Sequence, residues 1–447
     1  MNRINRALDA ADDALRAALL RWRAPGWLPG ALTLAAFFLL MMTRTLAQLA
    51  GLPLGARAAG VLVLCAPLGV MLAFALRMTR EDGLLGSLAV CALCAVAMLA
   101  RLSFIERSAG DYDIYLADWL AKLSAGSFAE GMRADIGEYN VLYQYILFLI
   151  TRLPVPSLYA VKAVSFVGDA FLAAAAAKLA GRDGRASLAA FGAVLLLPTV
   201  VLNGGMYAQC DSLYAACALW GLALALERRG TGAAACFALS LAFKLQSAFL
   251  LPMVVVLWAH RRLHLRDALV FLLTLLAVML PALAGGKPLA SILAIYTAQT
   301  GLYTGLTYNA PSLFGLLETA GLDVYAYGNF GMALAFGACA VLVLHGVRTQ
   351  PEDGELVRLS LLMALVIVFL LPRMHERYFY LAGVLSVALA ARRGGRAVLA
   401  AALIELASLS ALWATGIPLN AAAMMMLAAA AIVLSCENSC RRGMNVI

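Results

Sequence analysis

Residues 231–260 read TGAAACFALSLAFKLQSAFLLPMVVVLWAH, one apolar run with Lys244 and Gln246 near its centre. Arg228 and Arg229 stand just before it, and Arg261 and Arg262 just after it. A helix needs roughly 20 apolar residues to cross about 30 Å of hydrocarbon, so about 30 residues make a span and a half. Short loops rich in Arg and Lys stay on the cytoplasmic side, which puts both ends of this run on the same side of a membrane. The run is therefore expected to enter and return, turning in the outer half of the bilayer around Phe243, Lys244, Leu245 and Gln246. Irregular backbone at that depth is tolerated only where it is buried in protein or lines a wet cavity, so Lys244 is expected to face a cavity.

The rest of the chain has the same character. Of 447 residues, 64% are hydrophobic and 13% charged, with 34 Lys+Arg against 25 Asp+Glu. No water-soluble domain hides that much apolar surface. The apolar runs are continuous rather than alternating, which excludes a β-barrel as well as a soluble enzyme, a fibre or a disulfide-stapled domain. The reading is an all-α polytopic membrane protein, and its net charge of +9 reports orientation before it suggests a nucleic-acid partner. Nine cysteines, most of them inside apolar runs, predict neither a disulfide framework nor a metal site.

Basic residues recur in the short gaps: Arg77 and Arg80; Arg182 and Arg185; Arg228 and Arg229; Arg261, Arg262 and Arg266; Arg348 and Arg358; Arg392, Arg393 and Arg396; Arg441 and Arg442. These gaps are expected in the cytoplasm and the segments between them outside. Parity decides one short stretch, because counting 139–152 as a crossing would invert every later basic gap. That stretch is expected to lie in, or dip into, the outer face. The plan has about 14 helices and both termini in the cytoplasm. It divides into a surface helix over 1–24, three helices over 25–102, an outer loop with interfacial helices over 103–156, core helices over 157–284, a second outer loop over 285–328, C-terminal helices over 329–435 and a tail over 436–447. The first segment carries arginines around a leucine stripe and has no small-residue cleavage site, so it reads as a surface helix rather than a signal peptide.

Four outer segments hold polar residues that orientation does not explain. In Gly110-Asp111-Tyr112-Asp113, Asp111 opens a helix whose Tyr112, Tyr115 or Leu116, Trp119, Leu120 and Leu123 recur at helical spacing along the membrane surface. Asp111 is either the N-cap of that helix or a general base within reach of a hydroxyl proton, and local sequence does not separate the two. Asp113 is the alternative base, since one helix start cannot aim both carboxylates at one hydroxyl. In Pro372-Arg373-Met374-His375-Glu376-Arg377-Tyr378, four ionisable residues fall in five positions, and two guanidiniums beside an imidazole suit a phosphate. The same residues also read as arginines and tyrosines anchored at headgroups. A third set runs from Asn203 through Tyr207 and Gln209 to Asp211, itself a candidate helix cap, and a fourth is Tyr308-Asn309-Ala310.

These segments, with Tyr139-Asn140-Val141-Leu142-Tyr143 and Ala242-Phe243-Lys244-Leu245-Gln246, together resemble the GT-C superfamily of membrane glycosyltransferases, and within it the bacterial relatives of GPI mannosyltransferase 2. The resemblance spans about 110 to 380, and Met374-His375-Glu376-Arg377-Tyr378 is its most specific part. It implies a GT-C-like fold in the bacterial inner membrane with the active site on the periplasmic face. It also implies inverting transfer of a hexose such as mannose from a polyprenyl-phosphate donor to a glycan, lipid or protein acceptor. By the same resemblance Asp111, with Asp113 behind it, is the candidate catalytic base, and Lys244, Arg373, His375 and Arg377 are candidates around the donor phosphate. Tyr112, Tyr143, Gln209, Asp211, Gln246, Asn309, Glu376 and Tyr378 are the candidate substrate-binding residues. Neither a metal nor another cofactor is implied. Where many members carry Tyr-Pro-Pro, this chain has Tyr139-Asn140-Val141, which leaves the acceptor side open. A lipid-linked-sugar flippase and an O-antigen ligase-type enzyme are the competing classes. The first calls for internal repeats and charges near the midplane; no repeat is visible and the charges gather at the outer face.

Overall fold

The structure is a computed structural model that describes residues 25–44, 46–80, 83–137, 139–181, 183–301, 304–413 and 415–436. The surface helix expected over 1–24, Arg182 and nearly all of the tail expected over 436–447 lie outside the described residues. In the N-terminal half the main helices are α1 (Leu28–Thr43), α2 (Leu54–Met78), α3 (Gly83–Leu102), α4 (Ala117–Ser124), α5 (Val141–Ile150), α6 (Ser157–Ala180), α7 (Gly184–Leu196), α8 (Pro198–Gly205) and α9 (Asp211–Leu226). They are followed by α10 (Gly230–Phe243), α11 (Met253–Ala259), α12 (Leu265–Ala284), α13 (Gly328–Arg348), α14 (Asp353–Leu370), α15 (Tyr380–Arg393), α16 (Arg396–Leu412) and α17 (Leu419–Ser435). The all-α expectation holds, with one parallel pair of two-residue strands, β1 (Thr307–Tyr308) and β2 (Met374–His375), between outer loops.

By length and composition, five of the described helices suit a membrane crossing, or six if α7 and α8, bent by 45°, are one span. The expected count of about 14 is not matched on this measure. Four further apolar helices, α1, α9, α10 and α17, run 14 to 17 residues, about 21–26 Å. Chain breaks shorten others: α7 ends at Leu196 and, after the extended Leu197, Pro198 opens α8, and Lys244 ends α10 in extended backbone. The stretch expected to stay on one face forms α5, whose 10 residues reach about 15 Å, half a bilayer core.

At the centre is α6, a helix of small residues that packs on α2, α7, α9 and α15. Small side chains let backbones approach without a hydrophobic driving force. At Gly168 an added Cβ would lie 2.5 Å from Ser212 Oγ of α9. The same helix carries Asp169, which accepts from Arg101 Nε of α3 at 2.8 Å with both side chains buried. Arg101 also donates to the Leu195 carbonyl of α7 at 2.7 Å, so one guanidinium joins three helices.

The run 231–260 folds as the sequence requires. Helix α10 ends at Phe243, a 3-10 turn covers Leu245–Phe249, and α11 follows. Its two ends come back together: Arg262 donates to the Leu226 carbonyl, and Thr231 Oγ1 to Asp267 at 3.4 Å. At that end of the bundle Lys178 pairs with Glu227 at 2.7 Å, Arg262 with Asp353 at 2.6 Å and Arg393 with Glu355 at 3.2 Å, while Arg358 donates to the Val433 carbonyl at 3.0 Å. The gaps around Arg228, Arg262, Arg358 and Arg393 thus lie together at one pole, and the tip of the hairpin points away from it.

Candidate active site

At the second pole the chain closes a cavity of about 530 Å³. Two buried devices hold its floor. Lys162, inside α6, donates to the carbonyls of Phe104 (2.6 Å), Ile105 (3.2 Å) and Arg107, satisfying backbone groups just past the end of α3. That anchors the loop which turns at Gly110 (φ +58°) and presents Asp111. On the far side β1 and β2 join the second outer loop to the loop after α14. Arg373 N donates to the Leu306 carbonyl at 2.8 Å, Glu376 N to the Tyr308 carbonyl at 3.1 Å, and the Tyr308 ring stacks on His375 at 4.6 Å.

Asp111 stands where a helix cap would, but its carboxylate caps nothing. Oδ2 accepts from Arg377 Nη2 at 2.9 Å and from Gln209 Nε2 at 3.1 Å, and among the described residues Oδ1 accepts no hydrogen bond. Gln209 is held in turn, accepting from the Tyr139 hydroxyl at 3.2 Å. The cap reading of Asp111 therefore gives way. Asp211 likewise lies inside the first turn of α9 rather than capping it, and its carboxylate accepts from Lys244 and, at 2.8 Å, from Asn203. Lys244 reaches it from the tip of the hairpin and lies 5.6 Å from the centre of the Tyr139 ring, lining the cavity as a broken helix predicts.

Of the residues singled out from the sequence, Asp111, Gln209, Asp211, Lys244, Gln246, His375, Arg377 and Tyr378 line this one cavity. Glu376 borders it through Arg377, whose Nε lies 3.1 Å from its carboxylate. Asp113 and Arg373 are exposed and line no part of it, and Tyr112 and Tyr143 pack beneath it. Asn309 takes positive φ (+55°) and donates from its amide to the Ala411 carbonyl at 2.7 Å, so it fastens the second outer loop to the end of α16. Lys244 and Arg377, expected to wait for phosphate, are each engaged by a carboxylate.

One expectation about the first outer helix is corrected. A π turn over Tyr112–Leu116 leads into α4, and its apolar face, Leu116, Leu120 and Leu123, is buried in the protein core rather than laid on a membrane surface. Tyr115 and Trp119 lie on the neighbouring face and line the cavity with Lys122, Asp135 and Gly137. The sequence reading put the two rings on the membrane-facing row and gave Lys122, Asp135 and Gly137 no role. The signal of the rings was present in the four-residue spacing from Asp111 to Tyr115 to Trp119, hidden because leucines and aromatics interleave.

The electrostatics of the loop after α14 follow from burial and neighbours. Burial, with Arg377 beside it, lowers the His375 imidazole to about 4, so the ring is neutral at physiological pH. Burial raises the Glu376 carboxyl, and Arg377 offsets part of that rise. Arg377 is held firmly charged against its own burial by Asp211, Glu376 and Asp111. Among the described residues no three His, Cys, Asp or Glu side chains form a group that could hold a metal.

Residues 139–260 match the family described as alpha-(1->6)-mannopyranosyltransferase, N-terminal domain. The matched stretch runs from Tyr139 through Gln209, Asp211 and Lys244, one wall of the cavity. No curated protein matches the chain. The match covers 122 of the 447 residues, and over that stretch the chain is similar to a mannosyltransferase family.

Proposed function

We propose that this chain is an inverting hexosyltransferase of the bacterial inner membrane that moves mannose from a polyprenyl-phosphate donor to an acceptor hydroxyl, with Asp111 as the general base. The observation that carries the proposal is the Asp111 carboxylate. It opens a helix without capping it, lines the cavity and, among the described residues, keeps one oxygen unengaged while Arg377 and Gln209 fix the other. A general base must sit within hydrogen-bond reach of the proton it takes, and an oriented carboxylate meets that need.

The chemistry follows from the charges around it. The acceptor oxygen forms a bond to the anomeric carbon as its proton passes to Asp111. The bond from that carbon to the phosphate oxygen breaks, and its electron pair leaves with the lipid phosphate. Arg377 and Lys244 lie where that charge develops, and fixed cations in a partly dry site stabilise it without reorganising. The neutral His375 contributes a hydrogen bond rather than a charge. A lipid-borne donor also suits the placement of the site at the pole opposite the arginine-rich gaps, since nucleotide sugars are supplied on the side where those gaps are retained.

The test is Asp111→Asn in purified protein, assayed with a polyprenyl-phosphate mannose. The amide keeps shape and can still accept from Arg377, but it cannot take a proton. Loss of a general base typically costs about 10²- to 10⁴-fold in rate, and that loss is expected here with donor binding retained. Turnover at the wild-type rate removes Asp111 from the mechanism.

A further inference from the structure

The face of the first outer helix that carries Asp111 continues outward with a chemistry that donor binding does not use. Asp111, Tyr115, Trp119 and Lys122 follow one another at intervals of four, four and three residues, and all four line the cavity. Helical neighbours three and four apart share a face. The neighbouring face, about 100° round the helix, is taken by Leu116, Leu120 and Leu123, which are buried in the core. Tyr115 is exposed, and Trp119, though partly packed against the core, still opens onto the cavity. They are stacked on each other, with centroids 5.9 Å apart and planes 27° from parallel, and the edge of Trp119 meets Tyr139 at 5.5 Å. The indole is seated by a residue chosen for its lack of a side chain. At Gly137, in the left-handed region at φ +68°, a Cβ would lie 2.3 Å from Trp119 Cζ2. Asp135, from the same loop as Gly137, lines the cavity as well.

We infer that this stripe is an acceptor subsite for a carbohydrate chain, in which Tyr115 and Trp119 carry the pyranose rings next to the one whose hydroxyl faces Asp111. A pyranose has an apolar face of C–H bonds and an equatorial rim of hydroxyls. An aromatic platform flanked by a carboxylate and an ammonium offers both partners: rings for the face, Asp135 and Lys122 for the rim. Lipid and protein acceptors need no such platform beside the base. The track narrows the acceptor left open above to an oligosaccharide, and it rests on the transferase reading for which hydroxyl reacts, though not for whether sugar binds. Binding energy gathered from rings remote from the reacting hydroxyl is what lets an enzyme favour longer acceptors in kcat/KM.

The experiment compares octyl α-mannoside with its α-linked trimannoside as ligands and as acceptors for wild-type protein, Tyr115→Ala, Trp119→Ala and Trp119→Phe. Trimannoside binding is read by saturation-transfer NMR, which needs no turnover, and affinity for polyprenyl monophosphate is read in parallel. Each alanine is expected to weaken trimannoside binding about 3- to 10-fold and to erase the preference for trimannoside over monomannoside, with polyprenyl phosphate affinity unchanged and Trp119→Phe retaining most of the wild-type behaviour. Tyr115 is 49% exposed, so its truncation leaves the fold intact even if Trp119→Ala does not. Equal trimannoside affinity in wild type and Tyr115→Ala, no trimannoside binding by wild type, or parallel loss of both ligands overturns the track. Trimannoside binding that depends on the two rings, without transfer of mannose from any polyprenyl phosphate, supports the track and overturns the transferase reading instead.

Discussion

His375 shows how the site sets the state of a single group. Its imidazole is packed under the Tyr308 ring and beside Arg377, and both burial and that cation oppose a proton, so it titrates near 4 instead of 6.5. Between those values the unfolded chain takes up a proton that the folded chain refuses, so stability rises with pH across the window and is lost as pH falls through it. Glu376 contributes with the opposite sign, because its raised carboxyl keeps a proton that the unfolded chain has already released. Removing His375 should therefore expose the slope of Glu376. In detergent, thermal melting of wild type is expected to fall more steeply than that of His375→Gln between pH 6.5 and about 4, and identical slopes would place the imidazole in a solvent-like environment. The identity of this residue as part of the site was legible in the sequence, since four ionisable residues in five positions between apolar runs demand an explanation. Its charge state was not, because it depends on Tyr308, which arrives from a loop more than sixty residues earlier. The same holds for Asp111: sequence left cap and base tied, and the structure removes the cap by turning the carboxylate to Gln209 and Arg377.

At the scale of elements, the readings that survived were those forced by length. Ten residues cannot cross a bilayer core, and thirty cannot cross it twice as regular helix, so α5 and the hairpin formed by α10 and α11 were both anticipated. What was misread is the face of the first outer helix, where leucines at 116, 120 and 123 and aromatics at 115 and 119 are equally apolar on any scale. Which row is core is decided by what packs against it, not by periodicity. Lys162 escaped notice for a related reason: a lysine near the start of an apolar helix reads as a residue reaching for headgroups. It instead holds three carbonyls beyond the end of α3 and so fixes the loop leading to Asp111. Lys162→Met keeps the apolar stem and removes the donors, leaving carbonyls unpaired at a cost of about 1–3 kcal/mol. We expect a lowered melting temperature with a still larger fall in kcat, because the loop that loosens is the one bearing the proposed base, Asp111. An unchanged kcat with a lowered melting temperature would confine Lys162 to a stabilising role.

Across the whole molecule the polar groups sort into two poles and one buried bridge. One pole gathers the arginine-rich gaps that the sequence reading expects in the cytoplasm, and the opposite pole gathers the cavity. Between them, Arg101 and Asp169 bind α3, α6 and α7 at a depth where an unpaired charge is costly. Arg101→Met should destabilise the fold by about 3–5 kcal/mol because it strands a buried carboxylate, while Arg101→Met with Asp169→Leu should recover most of that loss. Detergent unfolding of the single and double variants measures this, and equal destabilisation in both would mean the pair is not acting as a unit. The helix count was the least legible feature at this scale, since helices of 14 to 17 residues can cross only by packing against longer neighbours. The pairing of Asp111 with Arg377 also has a consequence in time. The two residues are 266 positions apart, and a ribosome adding about 5–20 residues per second needs tens of seconds to pass from one to the other. For that interval the first outer loop stands translocated beside a half-inserted protein, its carboxylate facing water with no arginine to meet it. The pocket cannot exist until the last third of the polypeptide is threaded, so on the proposed function a nascent chain is inert toward any lipid-linked sugar, and turnover waits until biogenesis is nearly complete.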